Sequence, residues 1–268
     1  VHFSKRDYNF LYRKNEVENM TQKPYGTVLL KAAMIMDHLA EHPNQPLQMI
    51  AAATEMTAST TLKILDTLVM IGYVQRSKEK NYRLGSKLIK YANHSVEELD
   101  LVERSLPHLE VLQTKADETI HLGVLAANEI LYVNKLEPKH QTIRMSSKVG
   151  ITRPLYSSAM GKAVLALFSE EEVADYLADT PLIAYTENTI TNPFQLKKEL
   201  ARSREEQVAF DDEEMEQEIY CIGAALIHDG AVVGAFSVSL PKYRLTPAYK
   251  QTLIETIRET KQAIEKSL

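Results

Sequence analysis

The chain has 268 residues, 44% hydrophobic and 25% charged, a length that suits two domains and a composition that excludes wholesale disorder. Its single cysteine excludes a disulfide framework or a multi-thiolate metal site and fits a reducing cytosol, and no uncharged apolar run reaches the roughly 18 residues of a membrane span. The net charge of −5 is unevenly divided: residues 1–19 carry +1, residues 20–92 set nine Lys/Arg against five acids, and residues 93–268 hold −10. A small basic segment joined to a large acidic one suits a tethered nucleic-acid reader.

Residues 1–19 show no clean periodicity and no signal-peptide core, and Met20 opens the first patterned stretch. They are read as an extension upstream of the native start. From Thr27 to His42 the apolar residues Val28, Leu29, Ala32, Ile35, Met36 and Leu39 fall at helical spacing, ended by Pro43 and Pro46. A short helix is predicted over Leu47–Thr54. A third, Ser59–Ile71, has Leu62, Leu65, Leu68 and Val69 inward and Gly72 as its stop. Tyr73–Arg76 and Asn81–Leu84 then alternate like two strands around the polar tip Ser77-Lys78-Glu79-Lys80. Three helices and a basic hairpin in this order make a winged helix-turn-helix pattern over residues 20–92.

Residues 93–117 read as a helical linker. Val96, Leu99, Val102, Leu106, Leu109 and Leu112 form one stripe, and Pro107 predicts a kink or two consecutive helices. Over 118–268 strands are predicted at Thr119–Ala126, Ile130–Leu136 and Thr142–Met145. Helices follow at Ala159–Leu167, Glu170–Leu177 and Pro193–Glu206. Strands Cys221–Ile227 and Val232–Leu240 are joined through His228-Asp229-Gly230-Ala231, a hairpin signal, and helix Pro247–Lys266 closes the chain. The fold class is α+β, with a mixed sheet-and-helix C-terminal domain.

If Ser59–Ile71 is the recognition helix, Ser59, Thr60, Thr61 and Lys63 offer hydroxyls and one ammonium to phosphates and base edges. Arg76, Lys78, Lys80 and Arg83 on the wing would lie along a backbone or minor groove. The plainer alternative makes these cations a solvated face. Other motifs lead nowhere specific. Gly161-Lys162 lacks the first glycine and the Ser/Thr of a phosphate loop. His38 and His42 at i, i+4 read as a surface pair rather than a metal site, and neither a Cys221–His121 nucleophile pair nor a His108, His121, His140 metal site has a supporting spacing.

Three segments carry a resemblance. TASTTLKILDTLVMIGYVQRSKEKNYRLGSKL, SSAMGKAVLALFSEEE and FDDEEMEQEIYCIGAALIHDGAVVGAFSVSLP, in that order along the chain, resemble the winged-helix reader and the C-terminal domain of IclR-family transcription regulators. The resemblance implies a DNA-binding head, a helical linker and a GAF-like effector-binding domain without catalytic activity or cofactor. It also implies homodimers, commonly paired into tetramers, on a palindromic double-stranded operator. The chain departs from the family where Ala58 and Lys63 stand, positions that often carry a basic residue and usually Arg. Carried over by motif, ligand contacts fall on Ala159, Met160, Asp211, Cys221, Ser237 and Ser239, with Met145 and Arg153 from the preceding loop, and the implied effector is a small organic or sugar acid. Arg153, if it points inward, would clamp the acid. Taken without the family, paired serines on a strand and an Asp-Asp-Glu-Glu run suit a solvated surface, and Cys221 suits a buried small hydrophobe. Two other classes fit the same head: a small-molecule enzyme, or a protein-interaction module, that keeps an accessory winged helix.

Overall fold

The computed structural model describes residues 26–91, 100–142 and 145–268. The chain divides into two compact units at Ser95/Val96.

In the N-terminal unit, α1 (Thr27–Glu41), α2 (Leu47–Ala53) and α3 (Ala58–Met70) pack with a hairpin of β2 (Val74–Arg76) and β3 (Asn81–Leu84). The helical spacing of α1 and α3 brings Ile35, Leu39, Leu65 and Leu68 together with Ile50, Val74 and Tyr82 in one core. α3 begins one residue earlier than the sequence pattern indicated. Its N-cap is Thr57, whose side chain accepts from the Thr60 N–H. It ends in a Schellman arrangement: Tyr73 N–H reaches the Leu68 carbonyl, Gly72 N–H reaches Val69, and Gly72 takes φ +84°. A two-residue strand, β1 (Gln45–Pro46), adds to β3. Pro46, one of the two prolines that predicted only a helix stop, therefore also supplies a sheet edge, where a residue without an N–H is tolerated.

The C-terminal unit is built on a six-stranded antiparallel sheet in the order β6-β5-β4-β9-β8-β7. The strands are β4 (Thr119–Ala126), β5 (Glu129–Leu136), β6 (Thr152–Pro154), β7 (Ala209–Asp212), β8 (Ile219–His228) and β9 (Ala231–Pro241). The β8–β9 turn has Asp229 and Gly230 at φ +50° and +79°, as the Asp-Gly signal requires. Alternation along the strands separates two cores. On one face Ile120, Leu122, Ile222, Phe236 and Val238 pack with α4 (Asp100–Ala116) and α8 (Pro247–Ser267). On the other, Ile130, Tyr132 and Ala235 pack with α5 (Ala159–Leu165), α6 (Glu170–Asp179) and α7 (Pro193–Glu206).

Three expectations change. The described part of the linker stretch is one helix that runs through Pro107, not two. The carbonyl that loses its partner there belongs to solvent-exposed Glu103. Leu101, Leu109 and Leu112 of that helix are buried with Ile254 and Ile257 of α8; Val96 and Leu99 of the predicted stripe lie outside the described residues. The strand predicted at Thr142–Met145 is not formed at either described end, residues 143 and 144 lying outside the description. The partner of β5 is instead β6, through Ile130↔Arg153. β7 was hidden in the acidic run.

Candidate functional site

In the N-terminal unit, Ser59 and Lys63 are exposed on the first turns of α3 and Thr60 is half-buried. Thr61 is fully buried and its hydroxyl donates to the Thr57 carbonyl at 3.0 Å, so that group is spent inside the helix. Thr60 Oγ1 accepts from Thr57 Oγ1 at 2.9 Å. Arg76, Lys78, Lys80 and Arg83 are all exposed on the hairpin. The Arg83 guanidinium donates twice to Gln75 Oε1, at 3.2 and 3.1 Å, across the β2–β3 pair, and Arg76 lies over the Tyr82 ring at 5.5 Å. A helix end bearing Ser59 and Lys63, with a hairpin bearing four cations, exposes donors of the kind that phosphate groups accept.

In the C-terminal unit the strand register collects polar side chains on the α5 face of the sheet. One row runs Asp211↔Cys221↔Ser239↔Thr119; the next runs Ala209↔Gly223↔Ser237↔His121↔Lys135. Asp211, Ser237, Ser239 and His121 are each under 5% exposed. α5 sits directly on this face. A Cβ on Gly223 would meet the Ala159 carbonyl carbon and the Met160 nitrogen at 2.6 and 2.7 Å, so only glycine lets Ala159 and Met160 approach this closely. Ser158 caps α5 by accepting from the Gly161 N–H.

The register thus brings Ala159, Met160, Asp211, Cys221, Ser237 and Ser239 to one face, and Arg153 joins them from β6. The Arg153 guanidinium acts electrostatically on His121, Tyr132, Asp211 and Cys221. Met145 contributes through its backbone: its carbonyl, like that of Ser147, accepts from Lys135 Nζ, at 2.8 and 2.7 Å. Sequence reasoning missed several partners. His121 Nδ1 lies 3.3 Å from Ser239 Oγ, and its Nε2 lies 2.7 Å from Ser147 Oγ. The Tyr132 ring packs against the imidazole with centroids 4.8 Å apart. Lys162, wholly buried on α5, pairs with Glu214, and the Glu214 N–H donates to Asp211 Oδ1 at 2.8 Å. The polar positions at i, i+2 in TIHLGVLA were the available signal for His121, but it needed the register to show its neighbours.

Burial dominates the titration of these groups. It pushes the His121 imidazole down to about 3, with the Lys135 and Arg153 charges acting in the same direction. It raises the Asp211 carboxyl to about 6 against the pull of Lys162 and two backbone N–H donors. It also raises the Cys221 thiol and the Tyr132 phenol, so Cys221 is a protonated thiol rather than a nucleophile. Among the described residues no group of three or more His, Cys, Asp or Glu could hold a metal ion. Two open clefts lie outside this row, the second reaching Glu214 at its margin. One of about 590 Å³ flanks the wing, by Gln75, Arg83 and Lys87, and one of about 430 Å³ lies outside β7, by Arg202, Phe210 and Lys250. The buried row, with convergent donors around Arg153, has the chemistry of a small-ligand site.

A basic winged helix-turn-helix head and a separate sheet-and-helix domain with a buried polar row define a DNA-binding transcription regulator as the class. Comparison with known proteins gives the family. Residues 28–78 match the IclR helix-turn-helix domain, and residues 93–266 match the C-terminal domain of the bacterial transcriptional regulator IclR. The chain is 32% identical over 263 residues to the DNA-binding transcriptional repressor YiaJ of Escherichia coli, covering 96% of this chain and 93% of the relative. It is 29% identical to the E. coli HTH-type transcriptional regulator KdgR, covering 88% and 90%. Its fold matches the crystal structure of the Thermotoga maritima IclR at a TM-score of 0.72 and 33% identity, covering 90% and 98%. The chain belongs to the IclR family of DNA-binding transcriptional regulators; it is a regulator and not an enzyme.

Proposed function

We propose that the C-terminal unit binds a small organic or sugar acid on the buried polar row, and that binding alters how the N-terminal unit engages its operator. The observation that carries this reading is the convergence of Arg153 with Ser237, Ser239, Asp211 and His121 on the face against which Ala159 and Met160 are seated. A guanidinium supplies the paired donors a carboxylate takes, and the serines and Asp211 suit hydroxyls. The acidic balance of this domain opposes an anion at long range, so local donors must prevail. In the N-terminal unit, Ser59, Thr60 and Lys63 would contact the major groove and Arg76, Lys78, Lys80 and Arg83 the backbone. Thr61 would act only by fixing the helix start.

A cytoplasmic homodimer, or a dimer of dimers, on a palindromic operator is the arrangement that lets two such heads read two half-sites. Ligand control then requires the acid to favour one arrangement of the heads over another.

The test is fluorescence anisotropy on DNA from upstream of the gene and its neighbouring operon, beside a scrambled duplex, with small organic and sugar acids added in turn. Selective binding that one acid shifts is the expected result. Equal binding to both duplexes, erased by salt and untouched by every acid, would overturn the reading.

A further inference from the structure

The buried row extends beyond the residues that resemblance nominates, and its extra members are of one chemical kind. His121 is held at both ring nitrogens by hydroxyls, Ser239 Oγ at 3.3 Å and Ser147 Oγ at 2.7 Å. The Tyr132 ring lies against it, and the charges of Lys135 and Arg153 act on it. Lys135 is itself engaged by the Met145 and Ser147 carbonyls and by Glu137 at 2.7 Å. Burial and these two cations keep the ring uncharged. A neutral imidazole carries one N–H and one lone pair, whereas an imidazolium is donor only. One of its two hydroxyl partners must therefore donate to it.

The neighbouring groups are acceptors or can be. Asp211 faces the same row, and both its backbone hydrogen bonds fall on Oδ1. Thr119, paired with Ser239 across β4 and β9, is 1% exposed, and its hydroxyl has no hydrogen-bond partner. One part of the row thus presents acceptors, and Arg153 presents donors. A hydrocarbon tail would leave the Thr119 hydroxyl unmatched and would lie against the polar His121–Ser239 pair, and a second carboxylate would meet Asp211.

The geometry points to His121 as a specificity-determining residue: a ligand hydroxyl takes the place of the long 3.3 Å contact between His121 Nδ1 and Ser239 Oγ and bonds to both groups, while Ser147 keeps Nε2, so the row prefers a hydroxylated monocarboxylic acid to the deoxy acid of the same chain length. This rests on the reading of the row as the acid-binding pocket. A site built to hydrogen-bond a hydroxyl rejects the analogue that lacks it far more strongly than an apolar pocket rejects one methylene.

The experiment is isothermal titration of the full chain at pH 7.5 with matched sodium salts: glycerate against propionate, and gluconate, galactonate and glucuronate against hexanoate. At least one hydroxylated acid should bind about tenfold or more tighter than its deoxy partner. His121→Phe should bring the two within about threefold by weakening only the hydroxylated acid, and His121→Gln, which keeps an acceptor, should restore part of the preference. Histidine ¹⁵N shifts in the unmutated chain should show the His121 ring nitrogens changing on addition of the hydroxylated acid and not of the deoxy acid, a readout that stands if the variants misfold. Equal binding of hydroxylated and deoxy acids, or an unchanged preference in a folded His121→Phe, would overturn the inference and leave the acid-binding reading in place. Loss of both affinities in parallel would give His121 a purely structural role, which also overturns it. Binding of no acid at all would overturn the acid-binding reading and this inference together.

Discussion

The two units place their polar chemistry in opposite ways. In the N-terminal unit Ser59, Lys63, Arg76, Lys78, Lys80 and Arg83 are exposed, and the core beneath them is Ile35, Leu39, Leu65 and Tyr82. In the C-terminal unit the polar residues are inside: His121, Asp211, Ser237 and Ser239 share a buried face, and Lys162 pairs with Glu214 with almost no solvent contact. A reader of a polyanion gains from exposed cations whose counterions are released on binding. A reader of one small molecule gains from groups already stripped of water and fixed in place. Substitutions in the first unit should therefore change function with little effect on stability, and substitutions in the second should change both.

The largest effect is expected where burial is deepest. Lys162→Met leaves Glu214 buried without its partner and should destabilise the C-terminal unit by about 3–5 kcal/mol, with the double variant Lys162→Met/Glu214→Leu recovering much of it. Urea melts of the two variants check this; an unchanged midpoint in the single variant would show that the pair contributes nothing. His121 gives the next effect, through acid. Its imidazole is held down at about 3 in the fold, against 6.5 for the free side chain, so the unfolded state binds more protons across that window and stability is lost as pH falls through it. Between pH 7.5 and 5 the loss is about 2 kcal/mol. Asp211, raised to about 6, acts in the opposite sense over part of that range, so the clean comparison is with His121→Asn, which should lose about 2 kcal/mol less than the unmutated chain over the same acidification.

On the other side of the comparison, Lys63→Ala or Arg83→Ala should weaken operator binding about ten- to hundredfold, leave effector binding intact and barely move the melting temperature. Anisotropy and calorimetry on the same preparations test all three at once. The smallest effect is at the boundary of the two behaviours. Thr57→Ala removes the α3 N-cap, which should cost about 1 kcal/mol and disturb the hydroxyl pair with Thr60; thermal melts and operator affinity should fall together.

Local signals carried most of the fold. The spacing of Pro193–Glu206, the alternation of Thr119–Ala126 and the Asp229-Gly230 turn each act within a few residues; the first two elements formed at the predicted bounds, and the strands around the turn formed longer than predicted, Ile219–His228 and Ala231–Pro241. Errors came where a side chain replaced the usual partner. Thr142–Met145 alternates like a strand, yet the Met145 carbonyl is taken by the Lys135 ammonium rather than by a ladder. β7 reads as an acidic loop because Asp211 and Asp212 adjoin Glu213 and Glu214, although Asp211 turns inward and its carboxylate is held by the backbone of that same turn. The family resemblance nominated Ser239 and Asp211. His121 and Lys162 needed the register and the seat of α5 on Gly223, neither of which any local window contains.

The account turns on a ligand bound at the buried row reaching the DNA-reading head. The most direct test titrates the operator with the unmutated chain and with Ser237→Ala/Ser239→Ala, each with and without the acid that shifts binding. The variant should hold the operator with its original affinity in the absence of acid and lose the acid-induced shift by at least about tenfold in acid concentration. A full shift at the original acid concentration would place the ligand elsewhere and contradict the account.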